Sequence, residues 1–224
     1  MCGGPVAEFD RFAGDYRSVL DGAVGSAQYY ARAKALAAVT QVGADFAGKV
    51  LDYGCGVGLL AAALLQLSPR AQLTGFDVSA PCLHSIGEPL RSAATWSSEP
   101  VELADCYDLI VISNVLHHVV PAERDSLLGE LANRLKSGGK LLIFEHNPLN
   151  PLTRWVVAHC AFDDDAVLLW PRETQARLRT AGLQSQGCDY LAFFPQRLAR
   201  FQPAERHLAG LPLGAQYMAV GHKP

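Results

Sequence analysis

Short apolar runs and stretches with helical spacing take turns along the chain from residue 26 to residue 146. Unbroken runs read as buried strands, and apolar residues recurring three or four positions apart read as helices facing a core. This pattern predicts helices over 5–24 and 26–42, separated by Gly22 and Gly25. Phe9, Phe12, Tyr16, Val19 and Leu20 would form one apolar face of the first. Strands are predicted near 49–53, 72–77, 93–96, 107–113 and 140–146. Helices are predicted near 58–67, from Ala80 to about Arg91, and from Pro121 to Lys136. Ser68-Pro69 stops the first of these, and Pro121 suits the first turn of the last.

Beyond residue 146 the rhythm changes. Residues 147–170 carry early breaks at Pro148, Asn150 and Pro151, then the acidic knot Asp163-Asp164-Asp165. That knot reads as the solvated start of a helix over Ala166–Trp170, because adjacent acids rarely converge on one ion without further ligands. A helix near 171–181 ends at Gly182, and a long strand near 184–194 ends at Pro195. A second irregular insertion spans 196–214, and Gln216–Gly221 is the last strand.

Alternating strand and helix units imply a parallel sheet covered on both faces. The last two strands have no helix between them, which implies an antiparallel hairpin at one edge. The expectation is an α/β, doubly wound, seven-stranded, mostly parallel sheet in one domain over 1–224. It includes an N-terminal helical cover (1–45) and two insertions, 147–170 and 196–214.

The 224 residues suffice for one well-buried core, and half of them are apolar. A net charge of −3 gives no basic stripe for a phosphate backbone, so no nucleic-acid partner is expected. Six scattered cysteines, with no C-x-x-C, suggest packing in a reducing cytoplasm and no metal site. No apolar run reaches the roughly 18 residues needed to span a bilayer. A homo-oligomer is left open.

The stretch Asp52-Tyr53-Gly54-Cys55-Gly56-Val57-Gly58 lies between the first strand and its helix. A glycine-rich turn there exposes backbone N–H groups and lets a ligand approach the main chain closely. A dinucleotide turn has the form G-x-G-x-x-G with an uncharged entry. Here an acid stands at the entry, which repels a pyrophosphate and suits a ligand carrying an ammonium and a sulfonium. The second strand ends Gly75-Phe76-Asp77, and an acid at that place can accept hydrogen bonds from both hydroxyls of a ribose.

These two motifs resemble motifs I and II of class I S-adenosylmethionine (SAM)-dependent methyltransferases. Tyr107–Asn114 is similar to the fourth strand of that family. Leu131–Ile143, with Lys136-Ser137-Gly138-Gly139, resembles its helix–turn–fifth-strand segment, and Glu8-Phe9-Asp10 through Tyr16 resembles its N-terminal cover. The family's acidic-Leu-Pro signature near adenine has no clean match between Thr95 and Asp105. The resemblance implies SAM as cofactor. Asp52 would face its amino group, Gly54 and Gly56 would allow close approach, and Cys55 would pack in the turn. Asp77 would hold the ribose and Val78 would meet adenine. Asn114, ending the fourth strand, either presents its backbone carbonyl to the ligand or forms a structural turn.

Methyl transfer from a sulfonium requires positioning above all, and an oxygen or protonated nitrogen acceptor also requires a base. His117 and His118 follow the fourth strand. One of them could touch substrate or act as base, and the alternative is a pair held by helix-end hydrogen bonds. Glu145, His146 and Asn147 end the fifth strand. Neighbouring strand residues point to opposite faces, so one of Glu145 and His146 would face the methyl donor while the other anchors 147–170. His146 ranks first as base and His118 second. His117, Glu145 and Asn147 are candidates for acceptor contact.

The function implied is biosynthetic methylation of a small-molecule acceptor, at oxygen by preference and at nitrogen or carbon otherwise, with release of S-adenosylhomocysteine. Three alternatives remain. The acceptor could be lipid-linked or membrane-associated, the protein could be a nicotinamide oxidoreductase, or it could bind SAM without transferring methyl.

Overall fold

The computed structural model describes residues 26–160 and 163–224. The helix expected over 5–24, with its face of Phe9, Phe12, Tyr16, Val19 and Leu20, lies outside the described residues. So does Phe162. The chain divides into two compact units, Met1–Ala104 and Asp105–Pro224.

In the first unit, α1 (Ala27–Val42) starts at Ser26, whose hydroxyl accepts from the Tyr29 N–H at 3.3 Å. It ends at Gly43, whose φ of 92° breaks the helix. Then follow β1 (Lys49–Tyr53), α2 (Leu59–Leu67) and β2 (Gln72–Phe76), within a residue or two of the sequence expectation. The helix expected from Ala80 to Arg91 is in fact two short ones, α3 (Ala80–His84) and α4 (Leu90–Ala93). Pro89 supplies no N–H and biases Glu88 away from helical backbone, so Gly87-Glu88-Pro89 interrupts the run. The third strand, β3 (Thr95–Ser97), is parallel to β2, as β2 is to β1.

In the second unit, β4 (Tyr107–Ser113) and β5 (Leu135–His146) run parallel, separated by α5 (Arg124–Asn133). β5 begins earlier than expected because Leu135 already pairs with Tyr107. Gly138, at φ 79°, then forms a bulge, after which Lys140 pairs with Leu109. Lys223 closes this corner: its ammonium donates to the carbonyls of Ala132, Asn133 and Leu135 at the end of α5, where a cation is favoured.

The first insertion contains α6 (Pro151–Val157), capped by Asn150, whose side-chain oxygen accepts from the N–H groups of Leu152 and Thr153. Then come α7 (Pro171–Thr180) and β6 (Gln184–Leu191). The second insertion is a 3₁₀ segment (Gln196–Ala204) and α8 (Glu205–Leu208), followed by β7 (Gln216–His222). β6 stops short of residue 194. Ala192 takes a φ of 60°, and the Glu205 carboxylate gathers the N–H groups of Ala192, Phe193 and Phe194 at 2.9–3.2 Å. β7 pairs antiparallel with both β5 and β6, the hairpin expected from the missing helix.

The strand order is β3-β2-β1 in the first unit and β4-β5-β7-β6 in the second, seven strands of mixed direction in all. The middle strands read as continuous apolar runs because both faces are covered: Leu51, Ile110, Val111, Ile112, Leu141, Leu142 and Ile143 are fully buried. Among the described residues, no helix is long and apolar enough to cross a membrane.

Candidate active site

The glycine turn belongs to the first unit. Gly54, Gly56 and Gly58 have φ of 76°, 53° and 79°, a left-handed backbone that other residues adopt only under strain. The turn is held from two sides. The N–H groups of Gly54 and Cys55 donate to the Phe76 carbonyl at 2.7 and 2.9 Å. The Gly56 N–H donates to Asp77 Oδ2 at 2.7 Å, while Asp77 Oδ1 accepts from Ser79 N–H at 2.9 Å. Asp77 therefore shapes the turn as well as standing at the end of β2. A carboxylate offers about four acceptor positions, so these two bonds leave capacity for more. Val78 beside it is 46% exposed, an apolar side chain presented outward.

Asp52 lies at the end of β1, 1% exposed, and neither carboxylate oxygen has a hydrogen-bond partner. Burial and then the charge of Asp77 push its pKa up to about 7, against the opposing pull of Lys34, itself buried on α1. An orphaned buried carboxylate is costly, and an ammonium arriving from a ligand would relieve it. Cys55 is a packing residue: it lies in a cluster with Leu83, Ile86, Leu90 and Trp96, and burial raises its thiol well above the ordinary range. Trp96 lies so close to Gly75 that an added Cβ would come within 2.4 Å of the indole. That glycine is required by packing.

The histidines belong to the second unit. His117 and His118 sit in the tight turn that follows β4, with the His118 N–H donating to the Val115 carbonyl. His117 is 1% exposed. Its Nδ1 lies 2.5 Å from Glu145 Oε2, and Glu145 Oε1 accepts from the Leu116 N–H at 2.8 Å. On the other side of the ring, Nε2 is 3.3 Å from Asp163 Oδ1, an ion-pair distance. His118 Nδ1 bonds Asp165 Oδ1 at 3.0 Å, and its Nε2 is 3.6 Å from Asp163 Oδ1. His146 Nε2 is 3.9 Å from Asp163 Oδ2, with its ring centroid 5.1 Å from that of His117.

Charges set the protonation states. Burial would lower His117, but the carboxylates of Glu145 and Asp163 outweigh it and raise the imidazole to about 9. Burial, then the charge of His117, lowers His118 and favours its neutral form. Burial would raise Glu145 and Asp163; the neighbouring histidines outweigh it and hold both below the usual carboxylate range.

A methyltransferase-domain family model matches residues 51–141, the stretch that includes the glycine turn, Asp77 and the histidine pair. The fold is of the class I SAM-dependent methyltransferase type.

The chain is 35% identical over 104 residues to ribosomal RNA small subunit methyltransferase C of Shigella flexneri serotype 5b. The match covers 43% of this chain and 30% of that one, so the chain spans under a third of those relatives' length. It is 28% identical over 197 residues to the ubiquinone/menaquinone biosynthesis C-methyltransferase UbiE of Syntrophotalea carbinolica, covering 84% of this chain and 76% of that one. In fold it is similar to a SAM-dependent methyltransferase from Archaeoglobus fulgidus, with a TM-score of 0.69 at 16% identity, covering 93% of this chain and all of that one.

Several sequence expectations are revised by the structure. Glu145 is fully buried and engaged by Leu116 and His117, so it positions His117. Asn147 is also fully buried. Its amide donates to the carbonyls of Pro212 and Gly214, and its oxygen accepts from the Leu149 N–H, which ties the two insertions together. Asn114 forms the structural turn: its φ is 57°, its N–H donates to the Phe144 carbonyl, and its Oδ1 accepts from Gln216. Glu145 and His146 do not diverge to separate sites. β5 ends at His146, and the pair approach His117 from its two sides. The acidic knot starts no helix, since residues 166–170 form no regular element.

Sequence reasoning missed Arg124. This fully buried guanidinium donates to the carbonyls of Val119 and Val167 and so pins the segment that presents Asp163 and Asp165. The Val167 N–H also bonds the His117 carbonyl at 2.8 Å. The only sequence signal was an arginine opening a helix, where an acid is the better electrostatic choice.

Proposed function

We propose that this methyltransferase transfers the methyl group of SAM to a small-molecule acceptor, oxygen by preference, releasing S-adenosylhomocysteine. The observation that carries the cofactor reading is the orphaned carboxylate of Asp52 beside a left-handed glycine turn. When bound, SAM supplies an activated methyl on a good leaving group. Asp52 would pair with the ammonium. Gly54 and Gly56 would leave the backbone open to close approach, Asp77 would accept from the ribose hydroxyls, and Val78 would cover adenine.

The small-molecule reading is supported by the likeness to the quinone methyltransferase, which extends over most of both chains, whereas the ribosomal RNA likeness is confined to part of each. The formal charge of −3 also gives no basic footprint for RNA. Removal of a hydroxyl proton falls to His118 or His146. His118 has its Nδ1 oriented by Asp165 and a pKa lowered by burial, which favours the neutral imidazole that a base needs. This moves His118 ahead of His146.

A lipid-linked acceptor is the second reading. Leu149, Leu152 and Leu213 are 47–67% exposed, and Asn150 donates to the Leu213 carbonyl at 2.8 Å, so these apolar residues lie on adjoining segments. Incubation with SAM and a panel of phenolic, amine and quinol acceptors, followed by mass analysis, tests the first reading. S-adenosylhomocysteine and a methylated product are expected. Transfer to purified ribosomal RNA alone would overturn it, and transfer only in the presence of vesicles would favour the second.

A further inference from the structure

We propose that His117, His118 and Asp163 bind a divalent transition-metal ion of the zinc class. The adjacent histidines and Asp163 are far apart in sequence, and the turn after β4 and the segment pinned by Arg124 bring them together.

The geometry matches such an ion. The donor atoms of His117, His118 and Asp163 all lie within 4.8 Å of one another. Metal bonds of about 2.0–2.2 Å in a tetrahedron put neighbouring donors roughly 3.3–3.6 Å apart. The Nε2 atoms of His117 and His118 stand 3.3 and 3.6 Å from Asp163 Oδ1.

A second, independent observation points the same way. His117 Nε2 is buried and, apart from the Asp163 carboxylate 3.3 Å away, has no hydrogen-bond partner. Its Nδ1 is held by Glu145, and Nδ1 of His118 is held by Asp165. A carboxylate on one ring nitrogen fixes the tautomer that turns the other nitrogen's lone pair toward a metal. Here two adjacent imidazoles are fixed in this way with their Nε2 atoms on the same carboxylate.

Glu145, Asp163 and Asp165 place three carboxylates on the histidine pair, negative charge that a divalent ion would meet. Two imidazoles with one carboxylate suit zinc or a neighbouring late first-row ion, whereas magnesium and calcium take oxygen ligands. The site stands on geometry alone and needs no methyl transfer. An ion there would take the lone pair of His118 that the base reading requires, so the two readings make opposite demands on one atom.

The test uses the full chain, stripped with chelator and dialysed, with zinc titrated by calorimetry and cobalt as a visible-absorption probe. One equivalent of zinc is expected to bind and to raise the melting temperature. Cobalt is expected to give d–d bands of tetrahedral intensity that zinc abolishes. Asp163→Ala and His118→Ala lie at partly exposed positions, and circular dichroism would verify their fold. Each should weaken binding at least 100-fold. Glu145→Gln, which keeps an acceptor for the Leu116 N–H, should weaken it by about 10–100-fold. Absence of stoichiometric binding overturns the proposal, as does equal affinity in the Asp163 and His118 variants. A cobalt–thiolate charge-transfer band also overturns it, because that would put the ion on the cysteines.

Discussion

Glu145 Oε2 and His117 Nδ1 lie 2.5 Å apart, and both side chains are sealed from solvent. The pair joins the end of β5 to the turn after β4, and Glu145 simultaneously accepts from the Leu116 main chain. Removing one partner of a buried pair strands the other. Glu145→Ala is therefore expected to lower stability by about 3–5 kcal/mol. Glu145→Gln should cost less, because its carbonyl can still accept from Leu116. Urea denaturation of the two variants checks the order, and an alanine variant as stable as the glutamine variant would contradict it.

Asp52 carries the pH prediction. Its carboxyl rises from 3.8 to about 7 in the fold. Between those values the folded state holds more proton than the unfolded state, so stability attributable to this group is lost as pH rises from about 4 to about 7. Three units at about 1.36 kcal/mol each set an upper bound of about 4 kcal/mol. Asp52→Asn removes the penalty: it should match the wild type near pH 4 and exceed it in stability at pH 8. The same variant should bind SAM far more weakly, since it lacks the charge that receives the ammonium. Thermal melts across pH and calorimetry with SAM read the two effects separately.

Asp77→Ala removes the acceptor for the Gly56 and Ser79 N–H groups and the proposed partner of the ribose. SAM affinity should fall by about 1–3 kcal/mol. An unchanged dissociation constant would refute the ribose role.

Gly75→Ala should destabilise the first unit by about 1–3 kcal/mol, because the new methyl group would overlap the Trp96 ring at 2.4 Å. A shifted tryptophan emission should accompany the loss. A variant of full stability with unaltered emission would mean that the indole moves aside freely.

His118→Ala is expected to slow single-turnover methylation of a hydroxyl acceptor by about 10²–10⁴-fold, with SAM affinity nearly unchanged. His146→Ala is the paired comparison. Full rates in both would remove general-base chemistry and favour an acceptor that is already nucleophilic.

The sequence by itself determined the order of elements and the cofactor turn. β1, β2 and β4 are legible because buried parallel strands are unbroken apolar runs, and Asp52 through Gly58 with Asp77 are legible because their chemistry is local. The antiparallel hairpin followed from a missing helix. Where local signals compete, the reading slipped: Pro89 split one expected helix, and β5 started at Leu135 because a left-handed Gly138 could bulge within a strand. The histidine cluster was decided by tertiary structure alone. Asp163 looked like a solvated acid, Glu145 and Asn147 looked like strand-end ligands, and Arg124 gave no signal of its own. Each derives its role from partners distant in sequence, and burial then converts ordinary acids and imidazoles into a coupled charge network that no local spacing encodes.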